Sequence, residues 1–138
     1  MKILNIKTEK MSLGRFGERA AARYLKKNGY KILERNYVAA SHEVDIIAKS
    51  REYLIFVEVK TRTVGKEDPR EPRPSSAVTP EKQRSIIAAA KCYGKFISGI
   101  KRRLDIIEVY AEECGKKRTV REIKHLEGAF NVNTAYGK

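Results

Sequence analysis

An apolar run broken by opposite charges constrains this chain more than any other feature: Tyr53-Leu54-Ile55-Phe56-Val57-Glu58-Val59-Lys60, with Asp45 upstream in Glu43-Val44-Asp45-Ile46-Ile47-Ala48. Ionised groups are costly among side chains that should be buried, unless they pair or bind a metal. Alternation along a strand puts Phe56, Glu58 and Lys60 on one face and Ile55, Val57 and Val59 on the other. If Ser50-Arg51-Glu52-Tyr53 closes a hairpin through a loop of even length, Asp45 comes to lie opposite Glu58 and Glu43 opposite Lys60. A three-residue loop would shift the register by one and send Asp45 to the other face. Opposed carboxylates repel, and a divalent cation or the Lys60 ammonium relieves that repulsion. Mg²⁺ suits such a pair, because it takes oxygen ligands from one or two carboxylates and keeps several waters.

The remaining chemistry is consistent with a polyanion partner. Across 138 residues, 30 Lys and Arg stand against 17 Asp and Glu, a formal charge of +13. Such a balance points to nucleic acid. The length suits one domain, expected over 12–130, with 1–11 and 131–138 as tails. Cys92 and Cys114 show neither a CxxC pattern nor zinc spacing. The opening residues are interrupted by charge too early for a signal peptide, and no apolar run approaches the ~20 residues of a membrane span. The expectation is a cytoplasmic protein without membrane association.

Ser12 predicts the N-cap of a helix over 13–28, stopped by Gly29, with an apolar stripe of Leu13, Phe16, Ala20, Ala21, Tyr24 and Leu25. Arg15, Arg19, Arg23 and Lys26 fall opposite that stripe, and Glu18, the helix's only acid, lies on its margin. Strands are predicted over 31–37, 43–49 and 53–63, followed by a long loop over 64–79 carrying Pro69, Pro72 and Pro74. Thr79-Pro80-Glu81 starts a second helix reaching about Ser98. Strands over 103–110 and 119–126, joined across 112–117, complete an α/β pattern around a mixed sheet.

These residues carry a family likeness. Gly14-Arg15-Phe16-Gly17-Glu18-Arg19-Ala20-Ala21, Gly29-Tyr30-Lys31-Ile32-Leu33-Glu34-Arg35-Asn36, Glu43-Val44-Asp45-Ile46-Ile47-Ala48 and Phe56-Val57-Glu58-Val59-Lys60-Thr61-Arg62 resemble the YraN-like family of restriction-endonuclease-like proteins. Val78-Thr79-Pro80-Glu81-Lys82, Leu104-Asp105-Ile106-Ile107 and Gly128-Ala129-Phe130 extend the likeness over nearly the whole chain. That family is similar to the PD-(D/E)xK nucleases and to archaeal Holliday-junction resolvases. The resemblance implies an αβββαβ core, with Asp45, Glu58 and Lys60 as the motif's residues and Glu18 as an additional metal carboxylate. Val44 stands where the motif's Pro would be, and Ser41-His42 where the family usually has Gly-Gly.

The expected activity is therefore a divalent-metal-dependent endonuclease acting on DNA, including branched or structured DNA. Asp45, Glu58, the Val59 carbonyl and Glu18 would hold Mg²⁺ or Mn²⁺, and Lys60 would serve the attacking water and the transition-state charge. Arg15, Arg19, Arg23, Lys26, Arg62 and Lys82 would meet phosphates, Lys82 at a helix N-terminus that favours anions. A homodimer is left open. The bland alternatives are a cross-strand salt-bridge cluster at Asp45, Glu58 and Lys60, and a solvated basic face on the first helix. Two other classes fit the same chain: a catalytically silent nucleic-acid-binding module, and an adaptor that meets proteins through 64–79. His42 and His125 are expected to be structural, and Asp105 a buried hydrogen-bonding residue.

Overall fold

In the computed structural model, which describes residues 11–65, 78–93 and 100–137, the chain runs α1 (Leu13–Lys27), β1 (Lys31–Ala39), β2 (His42–Lys49), β3 (Tyr53–Thr63), α2 (Pro80–Cys92), β4 (Lys101–Cys114), β5 (Lys117–Leu126) and α3 (Val132–Tyr136). The strands form one sheet in the order β1-β2-β3-β4-β5. Every neighbouring pair is antiparallel except β3–β4, which the α2 crossover makes parallel. This is the α/β restriction-endonuclease-like arrangement that the sequence implied.

Helices α1 and α2 cover the two faces of the sheet, as the alternation of apolar side chains requires. Ser12 accepts the Arg15 N–H to start α1, which then buries Ala20, Ala21, Ala22 and Leu25 against Ile46, Ala48, Ile55, Val57, Ile107 and Val109. Its contact side is built from small residues, so the helix lies close to the sheet. At Gly17 an added Cβ would fall on Thr61 Oγ1 and come within 2.8 Å of Thr61 Cβ. On the other face, α2 packs Ile86, Ile87, Ala89 and Ala90 against Val44, Ile47, Leu54, Phe56 and Ile106. Burial of each Val, Leu, Ile or Phe among them contributes roughly 1.5–3 kcal/mol.

Several boundaries differ from the sequence expectation, and the largest differences have identifiable physical reasons. Helix α2 ends at Cys92, because Tyr93 turns to extended backbone. Its ring packs edge-on against Tyr37 and Phe56 at 5.2 and 6.0 Å, and Arg102 bonds the terminal Ala90 and Tyr93 carbonyls. The expected continuation to Ser98 falls on 94–99, outside the described residues. Strands β4 and β5 close through a tight turn at Gly115 (φ 63°), so Glu112, Glu113 and Lys117 belong to strands and not to a connection. Residues expected as a C-terminal tail include α3, which Arg84 anchors to α2 through the Ala135 carbonyl at 2.7 Å. The loop over 64–79 lies, from 66 to 77, outside the described residues.

The β1–β2 hairpin turns at Ala40 and Ser41, both left-handed (φ 53° and 66°). A two-residue turn of this hand matches the twist of the strands, and Asn-Gly would adopt it with less strain. The family's usual Gly-Gly maps one residue later, on Ser41-His42, and His42 is already in β2.

Candidate active site

Between β2 and β3 the ladder runs from Lys49↔Leu54 to Ile46↔Val57, and Ser50 N–H donates to the Tyr53 carbonyl at 2.8 Å. The loop is thus the two residues Arg51-Glu52, an even length; one further step would set Asp45 opposite Glu58, but the paired register ends at Ile46↔Val57. There the ladder gives way. Alternation of the bonded pairs would have Val59 N–H donate to the Val44 carbonyl, but it donates instead to Asp45 Oδ2 at 2.8 Å. The carboxylate thereby replaces a main-chain acceptor and is fixed where the two strands separate.

Glu58 projects on the α2 face and is only 5% exposed. Its Oε1 is buried with no hydrogen-bond partner, while Oε2 lies 3.6 Å from Lys60 Nζ. Burial pushes the Glu58 carboxyl up, opposed by the Lys82 and Lys60 charges. Asp45 is pushed up to about 7, by burial first and then by Glu58, against the Val59 hydrogen bond, with Glu18 and Glu43 adding further repulsion. An orphaned buried oxygen on Glu58 and an Asp45 carboxyl whose proton affinity the neighbouring Glu58 raises are unfavourable without a partner.

The other expected site residues divide between two surfaces. Lys82 lies in the first turn of α2, near enough for its charge to act on Glu58. Arg62 shares the Glu58 and Lys60 face of β3, near Tyr110. Glu18 reaches Asp45 electrostatically from α1, and its Oε1 accepts a hydrogen bond from Asn36 at 3.0 Å. By contrast, Arg15, Arg19, Arg23 and Lys26 are exposed on α1, which covers the opposite face of the sheet. Arg19 and Arg23 border an apolar groove of about 190 Å³ floored by Phe16, Ala20 and Val120. Among the described residues, no three His, Cys, Asp or Glu side chains gather closely enough to form a metal site by themselves.

Sequence reasoning passed over two features next to this site. Glu108, the β4 neighbour of Lys60, is 4% exposed and accepts the Tyr110 hydroxyl at 3.0 Å; burial and that carboxylate push Tyr110 up to about 12. The second is Asn36, whose one visible signal was an Asn inside a strand, where Asn is depleted.

Away from the site, Asp105 is fully buried and satisfied. It accepts Arg103 Nε and Nη2 (both 2.8 Å), the Gly128 N–H (2.9 Å) and His125 Nε2 (2.7 Å). His125 Nδ1 meets the Tyr24 hydroxyl of α1 at 3.0 Å. The expected structural roles of Asp105 and His125 thus appear as one network that ties α1 to β4 and β5.

Relatives match the chain in sequence over nearly its whole length. The sequence model of "Uncharacterised protein family UPF0102" matches residues 17–109, a span containing Glu18, Asn36, Asp45, Glu58, Lys60 and Lys82. A UPF0102 protein of Caldanaerobacter subterraneus subsp. tengcongensis is 40% identical over 126 residues, covering 90% of this chain and 98% of the relative. One from Chlorobaculum parvum is 46% identical over 125 residues, 87% of this chain and 92% of its own. One from Acetivibrio thermocellus is 40% identical over 128 residues, 90% and 95% respectively. Matched from α1 into β4 by the family and nearly end to end by these relatives, the chain belongs to UPF0102, the YraN family.

Proposed function

We propose that this protein binds nucleic acid and hydrolyses DNA phosphodiester bonds at the Asp45–Glu58–Lys60 site with Mg²⁺ or Mn²⁺. The observation that carries the reading is the neighbouring carboxylate pair: Glu58 keeps a buried Oε1 without a partner, and Asp45 is pinned beside it by the Val59 N–H. The Lys60–Glu58 ion pair engages Oε2 alone, which leaves Oε1 for another ligand. Asp45, Glu58 and the Val59 carbonyl are the oxygen donors that would hold a hard cation, which keeps several waters of its own; Glu18, bonded to Asn36, does not complete a group of three such side chains with them. When bound, the cation supplies stabilisation of the negative charge that develops on the phosphoryl oxygens.

The protein's own groups supply the rest. Lys60 is partly exposed beside Glu58, so its ammonium can donate to a water or to a phosphoryl oxygen at the rim of the site. Lys82 stands in the first turn of α2, where the helix dipole also favours a phosphate. Arg62 extends the same cationic face along β3. Glu58 and Asp45, which would repel a phosphate when both are ionised, would be neutralised by the cation before the polyanion approaches.

Incubation of duplex, single-stranded and four-way-junction DNA with the protein and Mg²⁺ or Mn²⁺ tests the proposal. Metal-dependent cleavage lost in Glu58→Gln and Asp45→Asn supports it. Cleavage that survives both variants, or DNA binding with no cleavage of any substrate under either metal, removes the hydrolytic reading.

A further inference from the structure

Strand β5 is an edge of the sheet, and it carries a bulge. Tyr110 pairs with Glu122 and Ala111 with Val120, so Arg121 is an extra residue between them. In a regular strand Val120 and Ile123, three positions apart, would point to opposite faces. The bulge turns both to the α1 face, opposite Ala111 and Val109. A bulge also protects an edge from pairing with another strand, but a polar residue at 120 would serve that purpose as well as valine. Val120 stays 42% exposed, an apolar side chain aimed toward a helix that does not cover it.

Two adjoining cavities of about 190 and 320 Å³ share Ala20, Arg23 and Val120 and form one groove between α1 and β5. Phe16, Tyr24 and Ile123 complete its floor. Its α1 rim is cationic: Arg19, Arg23 and Lys27 are exposed and recur every fourth residue, along roughly 12 Å of helix. Among the described residues these three have no acidic partner, whereas Arg118 and Arg121 of β5 are held by Glu113 and Glu112. An apolar floor under a row of uncompensated cations is the surface of an interaction site and not of a solvated face.

We infer that this groove docks an acidic amphipathic helix of a partner protein, with aliphatic side chains on Val120 and Ile123 and Asp or Glu residues on the Arg19–Arg23–Lys27 rim. Charge selects the occupant. A second copy would bring a formal +13 to a cationic rim, and residues 1–10 carry three Lys against one Glu. The bulge disfavours an added strand. Duplex DNA would meet the rim with phosphates and leave the floor uncovered. The groove lies on the face of the sheet opposite Glu58, so the inference is independent of the metal site.

A displayed library of random peptides of about 16 residues, long enough for four helical turns, is selected on the full chain and counter-selected on the double variant Arg19→Glu, Arg23→Glu. Both positions are exposed on α1, so that variant keeps the fold even if Val120→Asp disturbs β5. Selected peptides should carry apolar residues at helical spacing with Asp or Glu beside them. A synthetic copy of the strongest, followed by fluorescence anisotropy, should lose about tenfold or more in affinity with the double variant and with Val120→Asp, as at an interface anchor. Arg15→Glu with Lys26→Glu makes the same change of charge outside the groove and should leave the affinity unchanged. Failure to enrich any peptide overturns the inference, as do selected peptides without acidic residues. Equal losses in the two charge-reversal pairs also overturn it, because the attraction would then be diffuse. Displacement of the peptide by duplex DNA would assign the groove to nucleic acid instead. A wild type that dimerises in sedimentation while Arg19→Glu, Arg23→Glu does not would give the groove to a second copy, against the inference.

Discussion

Asp45 holds its proton to about pH 7, whereas an unfolded Asp releases it near pH 4. Across that window the folded state binds a proton that the unfolded state does not, so stability should fall as pH rises from about 4 to 7, by an amount on the order of a few kcal/mol at most. Glu58, also pushed up by burial, adds to the same slope. Asp45→Asn retains an acceptor for the Val59 N–H and removes the charge; it should melt close to wild type at pH 4.5 and several degrees higher at pH 8. Identical melting profiles in the two proteins would show that Asp45 carries no such penalty. Saturating Mn²⁺ should restore the wild type at pH 8 by mass action and leave Asp45→Asn unmoved. Much of this was legible in the residues themselves, because period-two alternation and an even loop fix which carboxylates become neighbours. The Asn36 contact was not legible, since a left-handed backbone inside a strand is set by what surrounds it.

Elements are seated here by a few close approaches. Replacing Gly17 with Ala should gain up to about 1 kcal/mol of helix propensity. It also drives a methyl group into Thr61 at the end of β3, and overpacking of that kind costs about 1–3 kcal/mol. A net loss of stability in urea unfolding is expected; a gain would mean that α1 slides freely on the sheet. The Asp105 network seats the other end of that helix. Burial alone would raise the Asp105 carboxyl, but the bonds from His125, Arg103 and the Gly128 N–H hold it below its ordinary value. Its contribution is thus complete above about pH 4 and disappears as pH falls through the depressed value, opposite in sign to Asp45. Asp105→Asn leaves Arg103 with the Tyr30 hydroxyl, Glu127 and the Tyr53 ring and should cost about 1–3 kcal/mol at pH 7, read as a fall in the urea midpoint. Caps and periodicity announced where both helices begin. The end of α2 was hidden, because the Arg102 that bonds its last carbonyls comes from the next strand, and Tyr24 and His125 meet across 101 positions of sequence.

At the scale of the molecule, the basic charge is distributed over both faces of the sheet. Lys60, Arg62 and Lys82 accompany the carboxylates on the α2 side, and Arg15, Arg19, Arg23 and Lys26 lie on α1 behind it. DNA affinity should fall linearly on a log–log plot against salt. Lys82→Ala should flatten that slope by about one phosphate's worth; the triple replacement Arg15→Ala, Arg19→Ala, Arg23→Ala should flatten it only if bound DNA wraps the sheet edge to reach α1. Salt-independent binding would exclude a phosphate-driven interaction altogether. The single parallel joint, β3 to β4, has a consequence of another kind. It alone brings together segments separated by a long crossover, whereas β1-β2-β3 and β4-β5 close through tight turns, so the cost of loop closure is concentrated at one step. The meander should therefore assemble first and the hairpin dock last. In stopped-flow chevrons, Val57→Ala should slow refolding, while Ile107→Val should chiefly hasten unfolding. The reverse pattern would place β4 in the nucleus. The order of assembly leaves the Asp45–Glu58 pair formed, with its charges opposed, before β4 arrives to bury it.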